Sequence, residues 1–517
     1  MTPIILEAVT RLPATRTKKE SLEKALKWIL DAMSYVGLTP SHTIPTTALS
    51  SAEVGQLVAA GQARELEEKE TPLGGVRVFT VTELAKARRR VIKHTAEINH
   101  TFGRDTLVPV QMPTRAEQSA QATKGEWALT LDFSAFFDQF ELAAEVQRRM
   151  CFRRGGKVYA LTRMPMGQRH SVAIAQHTTE RLLDFPMPNG VTSQAFVDNV
   201  RFVGPRDKIV KATMDLLARC AACGVTVNEV CAASATQGEV EALAHQKGEW
   251  LGAEYDYAAC TQRLTPKTLA KIEASWKQRE KWTTKQYAAH LGLLFFATSV
   301  LRLNPAAHFE AIKRLRERAR QVNDNEALWG ATVHLVEGER ESLRRWTVLA
   351  TENAAVRCPN DLTPTRVLMT DASDWGWGAI MVDLSSGRCQ QAQHAWTEQD
   401  RAGWRTGVSS HAEPEAIYRA LCTLVRPSEV GNLMVLTDST TAKWALRKGM
   451  SPSFEVNAVV NRVRRTFPNL QLSIEHIAGS TNLADGLSRG ASQPLEQVEQ
   501  QAIRRAEAAV KGGTMPH

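Results

Sequence analysis

Short apolar runs and longer amphipathic patterns alternate along this chain. Between about residues 75 and 260, five apolar or alternating runs predict β-strands, and helical periodicity fills the segments between them. The five runs are "GGVRVFTV", "EWALTLDF", "KVYALTRM", "SQAFVDNVRFVG" and "GEWLGAEY". Strands interleaved with helices in this way predict a mixed α and β domain.

Helical patterns dominate the flanking regions. Residues 1–60 predict an irregular, partly helical extension, with "KKESLEKALKWILDAM" as its best amphipathic helix, and residues 265–350 are almost wholly helical. The Pro-containing connector "RCPNDLTPTR" marks a boundary. After it, strands are predicted in "RVLMTDASDWGWGAIMVDL", "LMVLTDS" and "LQLSIEHIAG", and a charged helix or tail in "LEQVEQQAIRRAEAAVKGG". The predicted regions are 1–60, 61–262, 263–356, 357–491 and 492–517.

Composition adds a weak indication of the partner. Lys and Arg exceed Asp and Glu by 64 to 55, which suits a polyanion, although many proteins with this excess bind none. The Cys220–Cys223 pair closes a predicted helix, and one CxxC without a second pair favours core packing over a zinc site. The scattered cysteines indicate a reducing compartment without structural disulfides. The longest apolar run, "LGLLFFA", is too short for a bilayer, and the N-terminus lacks a signal-peptide core. We therefore predict an intracellular protein, cytoplasmic or also nuclear, without a membrane partner.

Two acids end predicted strands in the first mixed domain. Asp132 ends "EWALTLD", and Asp198 lies between two strand-like runs. Two carboxylates brought close together repel each other without a cation and bind Mg²⁺ when it is present, an arrangement suited to two-metal phosphoryl transfer. The alternative is that Asp198-Asn199 supplies only the residues that a two-residue hairpin turn demands. On these residues alone the turn is the better interpretation.

The order of five motifs favours the metal site instead. "LDFSAFFDQF", "TRMPMGQRHSVAIAQ", "FVDN", "GVTVNE" and "WLGAEYD" resemble the reverse transcriptase palm of long-terminal-repeat and DIRS-type retroelements, with its pattern LDxxxxYxQI, LPxGxxxxPxxFQ, YxDD, GLxxN and FLG. The resemblance covers about residues 75–260. It implies a right-hand polymerase of fingers, palm and thumb, in which Asp132, Asp198 and the backbone carbonyl of Phe133 bind the catalytic metals.

The resemblance also assigns substrate positions. Phe137 falls at the aromatic position that excludes a ribose 2′-hydroxyl, with core packing as the alternative. Gly167 and Gln176 match fixed points of the second motif, and Met166 stands where Gln or Phe is frequent. The hairpin that grips the primer end matches Trp250, Leu251 and Gly252, for which a plain core strand is the alternative.

Upstream, "ELAKARRRVIKHTAEIN" resembles the fingers segment that holds the incoming triphosphate, a task for which guanidinium is suited. The candidates are Lys86 and one of Arg88, Arg89 and Arg90. We prefer Arg89, and a solvated basic face is the alternative.

Three residues depart from the family pattern. Asn199 stands where a second Asp is usual, Val172 replaces a frequent Pro, and no Lys follows "GVTVNE" at the usual place. An amide oxygen can still contact a metal or its water, but it brings no charge.

A second group of acids follows the connector. Asp371, Glu413, Asp438 and Asp485 resemble in order the four-acid site of ribonuclease H, which cuts RNA paired to DNA with two Mg²⁺ ions; the match covers about residues 363–490. Glu415 is the reserve for Glu413. The family's HxxGxxNxxAD is reproduced around Asp485, and its His476 acts in product release or proton transfer, or orders the loop.

Together the resemblances imply an α+β multidomain protein, a polymerase followed by a ribonuclease H-like α/β domain. The expected cofactors are two Mg²⁺ or Mn²⁺ ions per active site, and the expected partners are an RNA template, a DNA primer, their hybrid and dNTPs. The oligomeric state stays open. Residues 265–350 resemble the thumb and connection, with "HLGLLFFATSV" closest to the DIRS-type and pararetroviral form. Two alternatives remain: a hybrid-specific nuclease whose polymerase has decayed, and a domesticated nucleic-acid-binding scaffold without activity.

Overall fold

The computed structural model describes residues 2–35, 43–83, 88–103, 106–277, 281–359, 363–401, 409–492 and 494–512. The chain forms two compact units. The N-terminal unit comprises Met1–Trp250 and Tyr255–Cys260, and the C-terminal unit comprises Leu251–Glu254 and Thr261–His517. In the described part of the chain, no helix combines the length and apolarity that crossing a bilayer requires.

The N-terminal unit contains nine described helices and nine described strands. Its helices are α1 (Leu6–Arg11), α2 (Arg16–Leu30), α3 (Ser51–Ala59), α4 (Ala96–Thr101), α5 (Arg115–Gln121), α6 (Ala144–Gln147), α7 (Ser171–Leu182), α8 (Arg206–Ala222) and α9 (Gln237–Leu243). Its strands are β1 (Ala63–Glu65), β2 (Arg77–Glu83), β3 (Arg88–His94), β4 (Trp127–Asp132), β5 (Cys151–Arg154), β6 (Lys157–Leu161), β7 (Thr192–Phe196), β8 (Asn199–Gly204) and β9 (Lys247–Trp250). The next strand, β10 (Ala253–Asp256), is divided between the units.

A three-stranded antiparallel sheet in the order β4-β8-β7 lies at the centre of the N-terminal unit. Strand β8 pairs on both edges, and every residue after its first is buried. A strand packed on both faces should be a continuous apolar run, as "VRFV" nearly is. The pairing places Asp132 opposite Asn199, at the same end of the sheet as the β7–β8 turn.

Residues 2–35 and 43–60, the described part of the first 60, contribute apolar side chains to the core of the N-terminal unit. Helix α2 forms close to where it is predicted and packs on α7. Trp28 is 2% exposed, stacks on the His170 ring at 4.1 Å and meets the edge of Phe102 at 5.2 Å. Farther upstream, the Ile4 N–H donates to the Gln139 carbonyl at 2.9 Å. Periodicity predicts the apolar stripe of α2, but the Phe102 and His170 rings that cover Trp28 lie 74 and 142 residues after it in sequence.

The C-terminal unit contains ten described helices and nine described strands in addition to its part of β10. Its helices are α10 (Pro266–Lys277), α11 (Thr284–Leu301), α12 (Phe309–Asp324), α13 (Glu337–Glu352), α14 (Glu398–Arg401), α15 (Ser409–Leu424), α16 (Thr440–Lys448), α17 (Phe454–Thr466), α18 (Asp485–Ser488) and α19 (Leu495–Val510). Its strands are β11 (Thr261–Leu264), β12 (Trp282–Thr283), β13 (Thr332–Val333), β14 (Val356–Arg357), β15 (Arg366–Ala372), β16 (Gly376–Asp383), β17 (Cys389–Ala395), β18 (Gly431–Thr437) and β19 (Leu470–His476).

A five-stranded sheet in the order β17-β16-β15-β18-β19 organises the second half of this unit. Strands β15, β16 and β17 pair antiparallel, whereas β18 runs parallel to both β15 and β19. Parallel neighbours place their carboxyl ends at one edge of a sheet, where sites in such folds are built. One face of the sheet packs on helices α15, α16 and α17.

Helix α19 covers the opposite face of this sheet. Val498, Ala502 and Ala506 are buried in one cluster with residues of β15, β16 and β18, including Met369 and Ile380. The spacing of the three residues is that of one helical face. Residues 495–510, predicted as a charged helix or tail, therefore form a helix that belongs to the domain core.

The helices α10 to α13 belong to the same compact unit as the sheet, as the contacts of the α11–α12 connection show. The Asn457 side-chain amide donates to the Ala306 carbonyl at 2.8 Å, and Asn304 donates to Asn461 at 2.7 Å. The rings of Phe309 and Phe454 meet edge to face at 5.5 Å. These contacts join described residues on the two sides of the predicted boundary at residue 357.

The packing of Trp28 generates a prediction about the first 60 residues. Trp28→Ala should lower the free energy of unfolding by about 3–5 kcal/mol, because it empties a buried aromatic site. Urea unfolding followed by far-UV circular dichroism measures the change. The control is Met33→Ala, since Met33 is 72% exposed and should change stability by less than about 0.5 kcal/mol. Equal effects of the two substitutions would show that this segment is peripheral.

Candidate functional site

The turn between β7 and β8 presents Asp198. Its two residues are Val197 and Asp198, and Asn199 already begins β8 opposite Phe196. The sequence predicted a turn at Asp198-Asn199, so the turn lies one residue earlier than expected. Val197 takes the left-handed conformation with a φ of 58°. A β-branched residue pays a steric cost there, and the surrounding structure must hold it in place.

Two side chains of α7 hold the Val197 peptide. The Gln176 side-chain carbonyl accepts from the Val197 N–H at 2.7 Å, and the Thr179 hydroxyl donates to the Val197 carbonyl at 2.5 Å. Gln176 is 2% exposed and Thr179 is fully buried. Gln176, predicted as a substrate residue, therefore contacts the backbone that presents Asp198.

Asp132 and Asp198 lie together at this end of the sheet. The Phe133 N–H donates to the Asp198 carbonyl at 2.9 Å, so the main chain ties the two acids together. Burial and the Asp198 charge raise the pKa of Asp132 above its usual range, and burial raises the pKa of Asp198. A cation between the carboxylates would relieve both effects.

Neutral donors stabilise each of these carboxylates. The Asn228 amide donates to Asp132 at 2.6 Å, and the Asn199 amide donates to Asp198 at 2.9 Å. Glu229 also takes part, because its carboxylate accepts from the Asp132 N–H at 3.1 Å. The motif "GVTVNE" was matched in the sequence, but the roles of Asn228 and Glu229 were not predicted.

The other palm candidates occupy separate positions around these acids. Phe137 is 9% exposed in a short 3-10 helix directly after Ala135, which has a φ of 42°. Met166 is 53% exposed. The Gly167 carbonyl accepts from the Asn99 amide at 2.8 Å.

The arginines of β3 contact different partners. Arg89 forms an ion pair with Glu53 at 2.8 Å and donates to the Thr80 hydroxyl at 2.6 Å. Arg90 reaches the Met166 sulfur at 3.4 Å and pairs with Glu83 at 3.6 Å, so of the two described guanidinium groups in β3 that of Arg90 lies beside the second motif. Lys86 lies outside the described residues, and only the backbone of Arg88 is described.

The segment predicted to grip the primer contains a tight turn. Leu251 and Gly252 have φ values of 48° and 79°. Both values are positive, as a type I′ two-residue hairpin turn requires at its central positions. Trp250 precedes the turn and is 2% exposed, with the guanidinium of Arg201 at 5.0 Å from its ring. Trp250 is therefore a buried aromatic in the N-terminal unit.

Three acids converge in the C-terminal unit. Asp371 lies in β15, Asp438 directly follows β18, and Glu413 lies in α15. One ligand atom from each lies within 4.8 Å of the others, and among the described residues no other group of three or more such side chains comes this close. Because β15 and β18 are parallel neighbours, the backbone itself brings Asp371 and Asp438 together.

The electrostatics of this cluster favour a cation. Burial, with the charges of Asp371 and Asp438, raises the pKa of Glu413 to about 8. Glu413 Oε1 accepts from the Ala372 N–H at 3.3 Å, whereas the buried Oε2 has no hydrogen-bond partner of normal geometry among the described residues. Burial also raises the pKa of Asp371, to which the Ser488 hydroxyl donates at 2.5 Å. An oxygen-rich cluster with an unsatisfied carboxylate oxygen fits Mg²⁺ or Mn²⁺.

The remaining nuclease candidates lie around the cluster. Asp485 begins α18 outside the group of three and pairs with Arg489 at 2.9 Å. His476 is exposed, and its Nε2 lies 3.0 Å from the Asp438 carbonyl oxygen. Glu415, the reserve, is buried and pairs with Arg419 at 2.9 Å, so Glu413 is the acid that joins the cluster.

Two supporting residues were missed by the sequence reasoning. Ser488 holds Asp371, and Gly378 lies opposite Asp371 in the β15–β16 ladder. A Cβ at Gly378 would lie 2.5 Å from Leu487 and 2.6 Å from the Ser488 nitrogen, so only glycine allows α18 to approach the sheet. The glycine-rich stretch "WGWGA" is the signal that could have indicated such a close approach.

Comparisons with known proteins bear on the fold. No protein-family model matches the chain, and no curated protein matches it in sequence. A solved structure of a foamy viral protease-reverse transcriptase dRH in complex with double-stranded DNA covers 91% of this chain and 81% of its own, with a TM-score of 0.50 and 15% identity. The chain is a multidomain protein of mixed α and β structure whose fold is similar to that of a retroviral reverse transcriptase.

Two further foamy viral protease-reverse transcriptase structures match less closely. The complex with double-stranded DNA covers 91% of this chain and 96% of its own, with a TM-score of 0.49 and 16% identity. The complex with an RNA/DNA hybrid covers 91% of this chain and 62% of its own, with a TM-score of 0.47 and 15% identity.

Glu413 should make the stability of the metal-free protein depend on pH. Its pKa is about 8 in the folded chain and about 4.3 in an unfolded one. The folded state therefore binds more protons between these values, and the free energy of unfolding should fall as pH rises. Thermal unfolding in excess chelator between about pH 5 and 8 measures this slope. Glu413→Gln should flatten it, and an unchanged slope would contradict the assignment.

Proposed function

We propose that the chain is an RNA-directed DNA polymerase with ribonuclease H activity, from a retroelement of the long-terminal-repeat or DIRS-like kind. The observation that carries the proposal is the placement of carboxylates at the ends of adjacent strands in both units, in a chain with a reverse transcriptase-like fold. The polymerase fingers and palm would lie in residues 61–262, the thumb and connection in 263–356, and the nuclease in 357–491.

In the polymerase, Asp132, Asp198 and the Phe133 carbonyl would hold two Mg²⁺ or Mn²⁺ ions. When bound, such ions activate the attacking oxygen and stabilise the leaving one. The chain itself orients the acids: Asn228 fixes Asp132, and the Val197 turn aims Asp198. Their substrates would be a primer paired to an RNA template and dNTPs.

In the substrate region, Phe137 would exclude ribonucleotides, while Met166 and Gly167 would face the incoming dNTP. The Trp250–Gly252 segment would position the primer end through its turn. Gln176 would act on the turn that carries Asp198 rather than on the dNTP.

In the nuclease, Asp371, Glu413 and Asp438 would hold the metals, with Asp485 as the fourth acid. The Ser488 hydroxyl would orient Asp371, and its hydrogen bond opposes the rise in the pKa of Asp371 that burial causes. His476, exposed beside Asp438, would assist proton transfer or product release. Lys and Arg side chains would bind the hybrid's backbone, so binding should weaken with salt.

A specific observation also favours the alternative of a nuclease with a weakened polymerase. The position that usually carries a second Asp holds Asn199, whose amide donates to Asp198. This hydrogen bond orients Asp198 without adding charge for a metal. The alternative of an inactive scaffold has less support, because both groups of acids are present.

Separate assays of extension and cleavage test the proposal. With a primed RNA template, dNTPs and Mg²⁺, the parent chain should extend the primer and cut the template. Asp198→Asn should reduce extension alone, and Asp438→Asn cleavage alone, each by about a hundredfold or more. Asp215→Asn, on the exposed face of α8, is the matched control.

Each result of this assay selects one function. Cleavage without extension by the parent chain would favour the nuclease with a decayed polymerase. The absence of both activities would favour the alternative of a nucleic-acid-binding scaffold without activity.

Arg89 and Arg90 of β3 predict different effects on nucleotide use. Arg90→Gln should raise the KM for dNTP by about ten- to a hundredfold, because it removes a charge-assisted contact beside Met166. Arg89→Gln should change KM by less than about threefold, since its guanidinium is engaged by Glu53. Steady-state extension on one template measures both values. A larger effect for Arg89→Gln would reverse the assignment.

A further inference from the structure

Arg489 forms an ion pair with Asp485, the fourth acid of the proposed nuclease site. Its guanidinium makes three contacts with the Asp485 carboxylate, at 2.9, 3.2 and 3.2 Å. The two residues lie one helical turn apart, with side chains 45% and 67% exposed for Asp485 and Arg489. Within the described part of the chain, the other three acids converge without forming an ion pair to Lys, Arg or His, so the charges of the site are divided unequally.

The backbone of α18 is fixed, so only the side chains of this pair can rearrange. The Ser488 hydroxyl bridges Asp371 and the Asp485 carbonyl at 2.5 and 2.8 Å. Gly378 leaves no space beneath α18. At the far end, a Cβ at Gly490 would lie 2.8 Å from the Trp375 ring, which closes the helix against the β15–β16 turn.

We propose that Arg489 is an internal counter-ion for Asp485 that a divalent cation must displace to use this carboxylate. The inference rests on the proposed nuclease function. The convergent acids Asp371, Glu413 and Asp438 would bind one ion without competition. A second ion that needs Asp485 competes with the Arg489 guanidinium. The site therefore binds this second ion more weakly than it would if Asp485 were unpaired. Arg489 is thus a positioning residue that separates the two metal affinities.

The size of the effect follows from the exposure of the pair. Exposed ion pairs contribute little because water screens them. Three contacts from a planar guanidinium make this pair stronger than an exposed pair with a single contact. Removal of the guanidinium should therefore tighten the weaker metal position by about two- to fivefold.

Calorimetric titration of the full chain with Mn²⁺, without nucleic acid, tests the inference. Asp132→Asn and Asp198→Asn are introduced first, so that the polymerase acids do not contribute to the heat. Arg489→Gln should tighten the weaker of two binding classes two- to fivefold and leave the tighter class unchanged. Arg489→Lys should give a smaller shift, because an ammonium makes fewer contacts. Asp485→Asn should remove the weaker class.

The matched control is Arg345→Gln, which removes another exposed ion pair with four-residue spacing, to Glu341 in α13. It should leave both Mn²⁺ affinities unchanged. Unchanged affinities in Arg489→Gln, whether or not cleavage falls, would overturn the proposal. Hybrid cleavage by the same proteins is measured in parallel. A shifted Mn²⁺ affinity in a chain that never cuts a hybrid would refute the nuclease function while the counter-ion role stands.

Discussion

Main-chain pairing forces carboxylates together in this protein, and both candidate sites depend on that constraint. Antiparallel pairing of β4 and β8 fixes Asp132 beside the turn of Asp198, while parallel pairing of β15 and β18 fixes Asp371 beside Asp438. The ladders are stabilised along their whole length, so local repulsion between two acids cannot separate them. Burial, together with the charge of the neighbouring acid, raises the pKa of Asp132 and of Asp371. A divalent cation would relieve both effects.

Neutral donors support the acids at both sites. Amides hold Asp132 and Asp198, and a hydroxyl holds Asp371. A neutral donor fixes the direction of a carboxylate and leaves its charge available to a metal. Arg489 is different, because a guanidinium both orients Asp485 and cancels its charge. The two candidate sites therefore differ: the site in the N-terminal unit has two acids that accept from amides, whereas the site in the C-terminal unit has three convergent acids and a fourth, Asp485, that is paired with Arg489.

The ends of the described chain complete the two cores. Helix α2 carries Trp28 into the core of the N-terminal unit, and α19 covers the open face of the five-stranded sheet. Each is an amphipathic helix that would expose an apolar stripe if it were alone. A segment at the end of a domain is thus as much a part of its core as the strands it covers.

The sequence by itself determined the elements and the chemical candidates. Strand periodicity located Asp132 at a strand end, because that signal is local and repeats every two residues, and the resemblance of the later motifs singled out Asp371 and Asp438. The tertiary structure alone decided which side chains meet. It placed the turn at Val197, directed Gln176 onto that turn, and paired Asp485 with Arg489. Such contacts depend on packing geometry and on rotamers chosen among neighbours, and a one-dimensional pattern carries neither.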